Sequence, residues 1–587
     1  MWYVYSADRR QGPVLLSKTD LSDGFYQFHL TPTGSLKLAT PFPHLPSEPE
    51  LVAIPTRLPM GWTESPPSFS AVTETVADLV NESLERSPSE MPPPHPLEDA
   101  ASVTAPLLPS QPDPHPVIDT GPIRPALEYT DVYVDDFVNA VQGAVNATKV
   151  RRTTFHAIDS VFRPNDSLDV GRKQPISEKK LGKGDAAWST QKNILGWHLD
   201  TVAMSISLPP HRQARLLEIL ESILARKRST VKEWHKLLGE LRSMTLAVPG
   251  SKGCFSFLQE ALKPGANRIK ITQRVRDQLT DFLWLARDVC NRPTHLAEVV
   301  PTPPTYVGAM DAAKAGMGGV WFPPGPPAPM AIMPPKDDQL PHPILWRYPF
   351  PSTVQTKVVS SSRPTGTITN SDLELAGTIA HDDILANSVP VTHLTTCGLS
   401  DNTPAIAWRS KGSTTTTGPA AYLLQLAALH QRHYKYKPQH FHIAGKANTM
   451  ADDCSRRWDL TDRELTHYFN SNYPQKKSWQ LRHLRPAMAS AVISALQQKR
   501  SAPESFLLAT PAPKKCGPAG VRFAPTSMQT RCFRRWPTLS LSSKPSASAS
   551  VMDVSRPATT RHELEQWRTP FGLSARGFPN WGPQTPA

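Results

Sequence analysis

Two adjacent aspartates, Asp135 and Asp136, sit between the apolar runs Val132-Tyr133-Val134 and Phe137-Val138, and no other feature narrows the fold so far. A strand alternates faces with a period of two, so Asp131, Tyr133 and Asp135 share one face while Val132 and Val134 pack on the other. Like charges at the tip of an apolar hairpin repel one another and call for a counter-ion. A lone Asp-Asp also reads as a polar turn, so the pair gains meaning only from what accompanies it.

Two other segments accompany it. Ser17-Lys18-Thr19-Asp20 follows the apolar Val14-Leu15-Leu16 and delivers Asp20 into the turn Leu21-Ser22-Asp23-Gly24-Phe25-Tyr26. Leu58-Pro59-Met60-Gly61-Trp62-Thr63-Glu64 is a turn that opens a helix over Ser65 to Leu84, behind Pro66-Pro67. Nucleotidyl transfer needs two divalent ions held ~4 Å apart, one at the attacking hydroxyl and one at the leaving group. Carboxylates at a hairpin and at the end of a neighbouring strand can supply such ligands.

A second acidic set follows from residue 301. Asp311 ends a strand over Thr305 to Met310 and precedes Gly316-Met317-Gly318-Gly319. Glu374 lies at a helix start in Ser371-Asp372-Leu373-Glu374. Asp401 closes the strand-like Val391 to Leu399, before Asn402-Thr403-Pro404. Asp452 ends a run that begins at His442. Each has a plainer reading: Ser371 and Glu374 also fit a capping box, Asp401 an N-cap, Asp311 a turn and His442 a core histidine. All four would have to hold together, in this order.

The 62 Pro in 587 residues are roughly twice the usual share, so part of the chain is expected to be irregular. They concentrate in 87–126 and 323–351, which read as loops inserted into domains. Helical periodicity predicts helices over Arg212 to Arg226, Val231 to Leu246 and Gln273 to Val289. Periodicity fades beyond about Ser471, apart from a short helix at Ala487 to Gln498. Residues 476–587 hold 17 Lys/Arg against 4 Asp/Glu, which accounts for the whole net charge of +13. A basic, Pro/Ser-rich tail suits loose phosphate contacts or simple solvation. The six cysteines show no zinc-ligand spacing and read as free thiols. No apolar run reaches a membrane span, and the charged Asp8-Arg9-Arg10 argues against a signal peptide.

Taken in order, Asp20, Met60-Gly61-Trp62 and Tyr133-Val134-Asp135-Asp136 resemble the palm of retroelement reverse transcriptases. His442 to Arg456 resembles the ribonuclease H run of gypsy-like and DIRS-like retrotransposon polyproteins. The resemblance covers roughly 13 to 460 and implies an α/β fold: a right-hand polymerase palm (1–205), a helical thumb or connection (206–300), a ribonuclease H-like α/β domain (301–460) and a disordered tail (461–587). It implies RNA-directed DNA polymerase and ribonuclease H activities, with two Mg²⁺ or Mn²⁺ per site. Asp20 and Asp135 would bind metal with Asp136 in support. Phe25 would lie against the sugar, where core packing is its plain alternative, and Met60, Gly61 and Trp62 would contact template and nucleotide. Asn193 to Trp197 matches a primer-gripping turn, or an ordinary β-turn. In the second site Asp311, Glu374, Asp401 and Asp452 would hold metal, with His442 assisting proton movement.

The implied partners are RNA template, DNA primer, RNA/DNA hybrid, deoxynucleoside triphosphates and other polyprotein segments, in cytoplasm, nucleus or a retroelement particle. Only 19 residues precede Asp20, where the family carries fingers, so the fingers are expected to be truncated. The alternative is a decayed element product that binds nucleic acid with at most ribonuclease H activity.

Overall fold

The computed structural model describes residues 1–43, 49–86, 91–102, 112–113, 122–162, 174–262, 267–323, 341–361 and 364–507. They form two compact units that divide at Ala203, with Met1, Trp2 and the stretch around Asp113 joining the second unit.

The first unit is built on a three-stranded antiparallel sheet. Strand β1 (Val14–Asp20) pairs with β3 (Asp136–Gln142), which pairs with β2 (Glu128–Tyr133). Helix α1 (Ser65–Leu84) buries Phe69, Thr73, Val76, Ala77, Val80 and Leu84, a helical stripe. It packs with α2 (Ala144–Phe162) over a core of Phe69, Val76, Phe137, Phe155, Ile158 and Phe162. A hairpin of β4 (Gln191–Ile194) and β5 (Trp197–Asp200) turns through Leu195 (φ 52°) and Gly196 (φ 77°). Two consecutive positive φ values are the type I′ pattern, which matches strand twist.

The second unit begins with helices α3 (Pro210–Leu224), α4 (Val231–Met244) and α5 (Gln273–Asn291). A small ribbon of β6 (Arg228–Thr230) and β7 (Arg268–Lys270) joins them. Thr230 and Glu233 close a full capping box on α4.

Six strands then make one mixed sheet: β8 (Tyr306–Ala312), β9 (Gly316–Phe322), β10 (Ile344–Pro349), β11 (Thr395–Ser400), β12 (Lys437–His442) and β13 (Gln480–Arg482). The spatial order is β12-β11-β8-β9-β10-β13. The β8-β9-β10 pairings are antiparallel, whereas β8 with β11, β11 with β12 and β10 with β13 are parallel.

Helix α6 (Asn370–Ser388) is buried on every side from Asp372 to Leu385, packed against β8 and β9 and against helices α8 (Pro419–Tyr434) and α11 (Pro486–Leu496). Two of its buried carboxylates have partners: Asp382 with Arg409 on α7 (Thr403–Lys411), and Asp383 with Arg485 and His430. On the other side of the acidic residues, α9 (Thr449–Arg456) lies across β9. Its close approach requires Gly318, because a Cβ there would stand 2.6 Å from Cys454 Cβ and 2.7 Å from its carbonyl carbon.

Two expectations and one alternative reading are corrected. Regular structure does not end at 460: α10 (Asp462–Asn472), β13 and the short α12 (Pro503–Leu507) continue it, and α11 lies where the sequence predicts a short helix, Ala487 to Gln498. A Thr461–Glu464 capping box starts α10, and Leu465 and Phe469 are fully buried. Residues 508–587, the rest of the expected tail, lie outside the described residues. The Pro-rich insertion 323–351 is shorter than expected, since Ile344–Pro349 is β10, paired to β9. Its remainder 324–340, and most of the expected insertion 87–126, also lie outside the described residues. The capping box of α6 is Thr369 with Asp372 instead of Ser371 with Glu374, which leaves Glu374 for other work. The four described cysteines, Cys254, Cys290, Cys397 and Cys454, are free thiols.

Candidate active site

Asp311, Glu374 and Asp401 come together from three elements. Asp311 sits within β8, one residue further into the strand than its expected end, and opposite Gly318. Glu374 projects from the second turn of α6, and Asp401 follows β11 directly. One oxygen from each lies within 4.8 Å of the others, and among the described residues no other group of three potential ligands does so. Ser455 Oγ donates to Asp311 Oδ2 at 2.5 Å, and Ser400 Oγ donates to Glu374 Oε2 at 3.4 Å. Gly445 backs Asp401 closely: a Cβ there would stand 2.8 Å from Oδ2. Asn448 anchors that loop by donating Nδ2–H to the Met310 carbonyl at 3.0 Å.

Burial, then the charges of Asp311 and Asp401, push the Glu374 carboxyl up to about 9. Burial also raises Asp311, against the hydrogen bond from Ser455. Three carboxylates crowded this closely, two of them buried, fit a divalent cation, which takes carboxylate oxygens.

The other two residues of this set stand apart from the trio. Asp452 is about half exposed, its Oδ1 2.5 Å from Arg456 Nε. His442 is exposed at the end of β12, opposite Ser400 in the register and so beside the Asp401 position.

In the first unit the cross-strand register places Asp20 opposite Asp136. Lys18 Nζ lies 3.1 Å from Oδ1 of both, and Lys180 Nζ lies 2.8 Å from Asp20 Oδ2. Burial and the neighbouring Asp20 push Asp136 up to about 6. Burial works against ionised Asp20 too, yet its hydrogen bonds with Asp136 and Lys180 and the Lys18 ammonium hold it below the usual range.

Asp135 is not part of this pair. It is exposed in the turn after Val134 (φ 59°), and its carbonyl accepts from Leu21 N–H at 3.2 Å. The strand alternation expected through Asp135 stops at Tyr133, and the turn advances the next residue into register with Asp20.

Phe25 stacks on Phe69 (centroids 4.5 Å apart, planes at 21°), which is also the geometry of its core-packing alternative. Met60 is 63% exposed, Gly61 takes φ 97°, and Trp62 packs partly buried on the core. Sequence reasoning assigned nothing to Lys18, Lys180, Ser455 or Arg456. Lys18 could have been found, because residues i and i+2 of a strand share a face.

No family model matches this chain, and no curated protein matches its sequence. Solved structures similar to it include the foamy viral protease-reverse transcriptase dRH with double-stranded DNA, at 14% identity and TM-score 0.31, covering 73% of this chain and 56% of that one. The foamy viral protease-reverse transcriptase with an RNA/DNA hybrid is similar at 14% identity and TM-score 0.32, over 76% and 45%. The same protein with double-stranded DNA gives 14% and 0.31, over 73% and 68%. This chain thus spans about half the length of the first two. No described helix is long and apolar enough to cross a membrane.

Proposed function

We propose that the chain is a metal-dependent nucleic-acid enzyme of the reverse transcriptase and ribonuclease H kind, with the stronger case at the second site. The observation that carries the reading is the meeting of Asp311, Glu374 and Asp401 from a strand, a helix and a strand end. Divalent ions held there would supply an activated water and charge neutralisation for hydrolysis of a phosphodiester. Asp311 and Asp401 would hold them, with Ser455 fixing the Asp311 carboxylate. Glu374 has to give up its proton before it can join. His442, exposed beside Asp401, stands where it can carry a proton to or from solvent. The substrate proposed is the RNA strand of a hybrid.

Asp20 and Asp136 are proposed as the nucleotidyl-transfer pair, acting with RNA template, DNA primer and deoxynucleoside triphosphates in a retrotransposon product. The second reading, a nuclease attached to an inactive palm, is favoured by one observation: two lysines already neutralise that carboxylate pair.

Purified protein, Mg²⁺, deoxynucleotides and a DNA primer on end-labelled RNA separate the readings. The expected result is RNA cleavage that falls by ~10²-fold or more in Asp311→Asn and Asp401→Asn. Cleavage that persists in both variants would sink the nuclease assignment. Primer extension lost in Asp136→Asn supports the polymerase, whereas no extension beside intact cleavage leaves the nuclease alone.

A further inference from the structure

The run from His442 to Arg456 ends in a residue that the hydrolytic reading does not use. Arg456 Nε is 2.5 Å from Asp452 Oδ1 and 3.9 Å from Asp311 Oδ2, and the side chain is 59% exposed. Its guanidinium therefore stands at the lip of the acidic cluster, between the three gathered carboxylates and the fourth acid of the set. Among the described residues it is the one cation within ion-pair distance of the trio. A divalent ion entering the cluster would meet that positive charge at close range, where repulsion is strong.

We propose that Arg456 is the internal counter-cation of this site. It holds Asp452 outside the cluster; with divalent ions held by Asp311, Glu374 and Asp401, Arg456 would release Asp452 to join them. Ion loading and recruitment of the fourth carboxylate become one event. Arg456 is thus a positioning residue, acting through Asp452. This rests on reading Asp311, Glu374 and Asp401 as an ion site.

A plainer account is available, because Asp452 and Arg456 are one turn apart, the acid in the first turn of α9 and the base in the last. Such pairs stabilise helices modestly and are indifferent to ions bound nearby. The two accounts part at the ion-binding step: on the plainer one, removing Arg456 leaves ion affinity unchanged, and on the proposal it tightens it.

The test titrates Mn²⁺ alone into the full-length chain by calorimetry, comparing wild type, Arg456→Ala, Arg456→Lys and Glu374→Gln. Removing a competing cation should tighten Mn²⁺ binding by about three-fold or more in Arg456→Ala. Arg456→Lys keeps the charge and should stay near wild type. Arg456→Gln gives the same readout as the alanine variant if the latter does not fold. Mn²⁺ affinity that is unchanged or weaker in the folded, uncharged variant overturns the proposal. Wild-type protein that shows no Mn²⁺ binding sensitive to Glu374→Gln overturns the ion-site reading itself, an outcome distinguishable because it does not involve Arg456.

Discussion

Glu374 is buried among like charges and, among the described residues, forms no ion pair, which dictates how the ion-free protein responds to pH. Its ordinary value of 4.5 describes the unfolded chain, and about 9 describes the folded one. The folded state therefore holds the proton more tightly. The stability this contributes is complete below 4.5 and is lost as pH rises through about 9. In chelator, the melting temperature is expected to fall across that window, and Glu374→Gln is expected to flatten the fall. Saturating Mg²⁺ should restore wild-type stability at the alkaline end, because the ion takes the place of the proton. Thermal melts at several pH values, with and without Mg²⁺, check this, and an equal slope in the glutamine variant would refute it. The acidic identities were legible in the sequence, since carboxylates at strand ends and helix starts rarely recur in such an order by chance. Asp452's attachment to Arg456 was not, because one helical turn can bring an acid and a base together or leave each to solvent.

Helix α9 reaches Asp311 only because β9 has no side chain at Gly318, where Cys454 packs. Gly318→Ala would push a methyl into the Cys454 backbone, which has no freedom to move aside. We expect a loss of about 1–3 kcal/mol in chemical denaturation. Weaker Mn²⁺ binding should accompany it, because Ser455 on the same helix would no longer reach Asp311. A variant with unaltered stability would show that the contact is looser than described. The Gly-rich run was visible in the sequence, but the helix that uses it lies far downstream, and nothing local announces the pairing. The β2-β3 hairpin makes the same point. Its strands were readable from their apolar residues, whereas the choice of Asp136 over Asp135 as partner of Asp20 depends on where the turn falls. A shift of one residue there exchanges the two faces.

At the scale of the molecule, the second unit depends on its last described segment. Strand β13 completes the sheet beside β10, and α11 packs on α6 and α8. Arg485 and Arg500 bind Asp383 and Asp281, both buried. A chain ending at residue 460 leaves those two acids without these cations and is expected to lose cooperative unfolding in the second unit. A chain ending at 507 should keep it. Calorimetry of the two truncations checks this, and a cooperative transition in the shorter one would refute it. The expected tail hid α10, β13 and α12 because they are short and a basic, Pro/Ser-rich stretch follows them, whereas α11 was legible from the apolar run at Ala487 to Gln498. The placement of β13 also bears on how the protein is made. Strand β10 is synthesised long before its parallel neighbour at Gln480–Arg482, and until that neighbour emerges one edge of β10 is unpaired. At about 5–20 residues per second the edge is open for roughly seven to twenty-seven seconds on the ribosome. During that interval Ile344-Leu345-Trp346 is a sticky template, and the cell's chaperones have more to guard in the nascent chain than in the finished one.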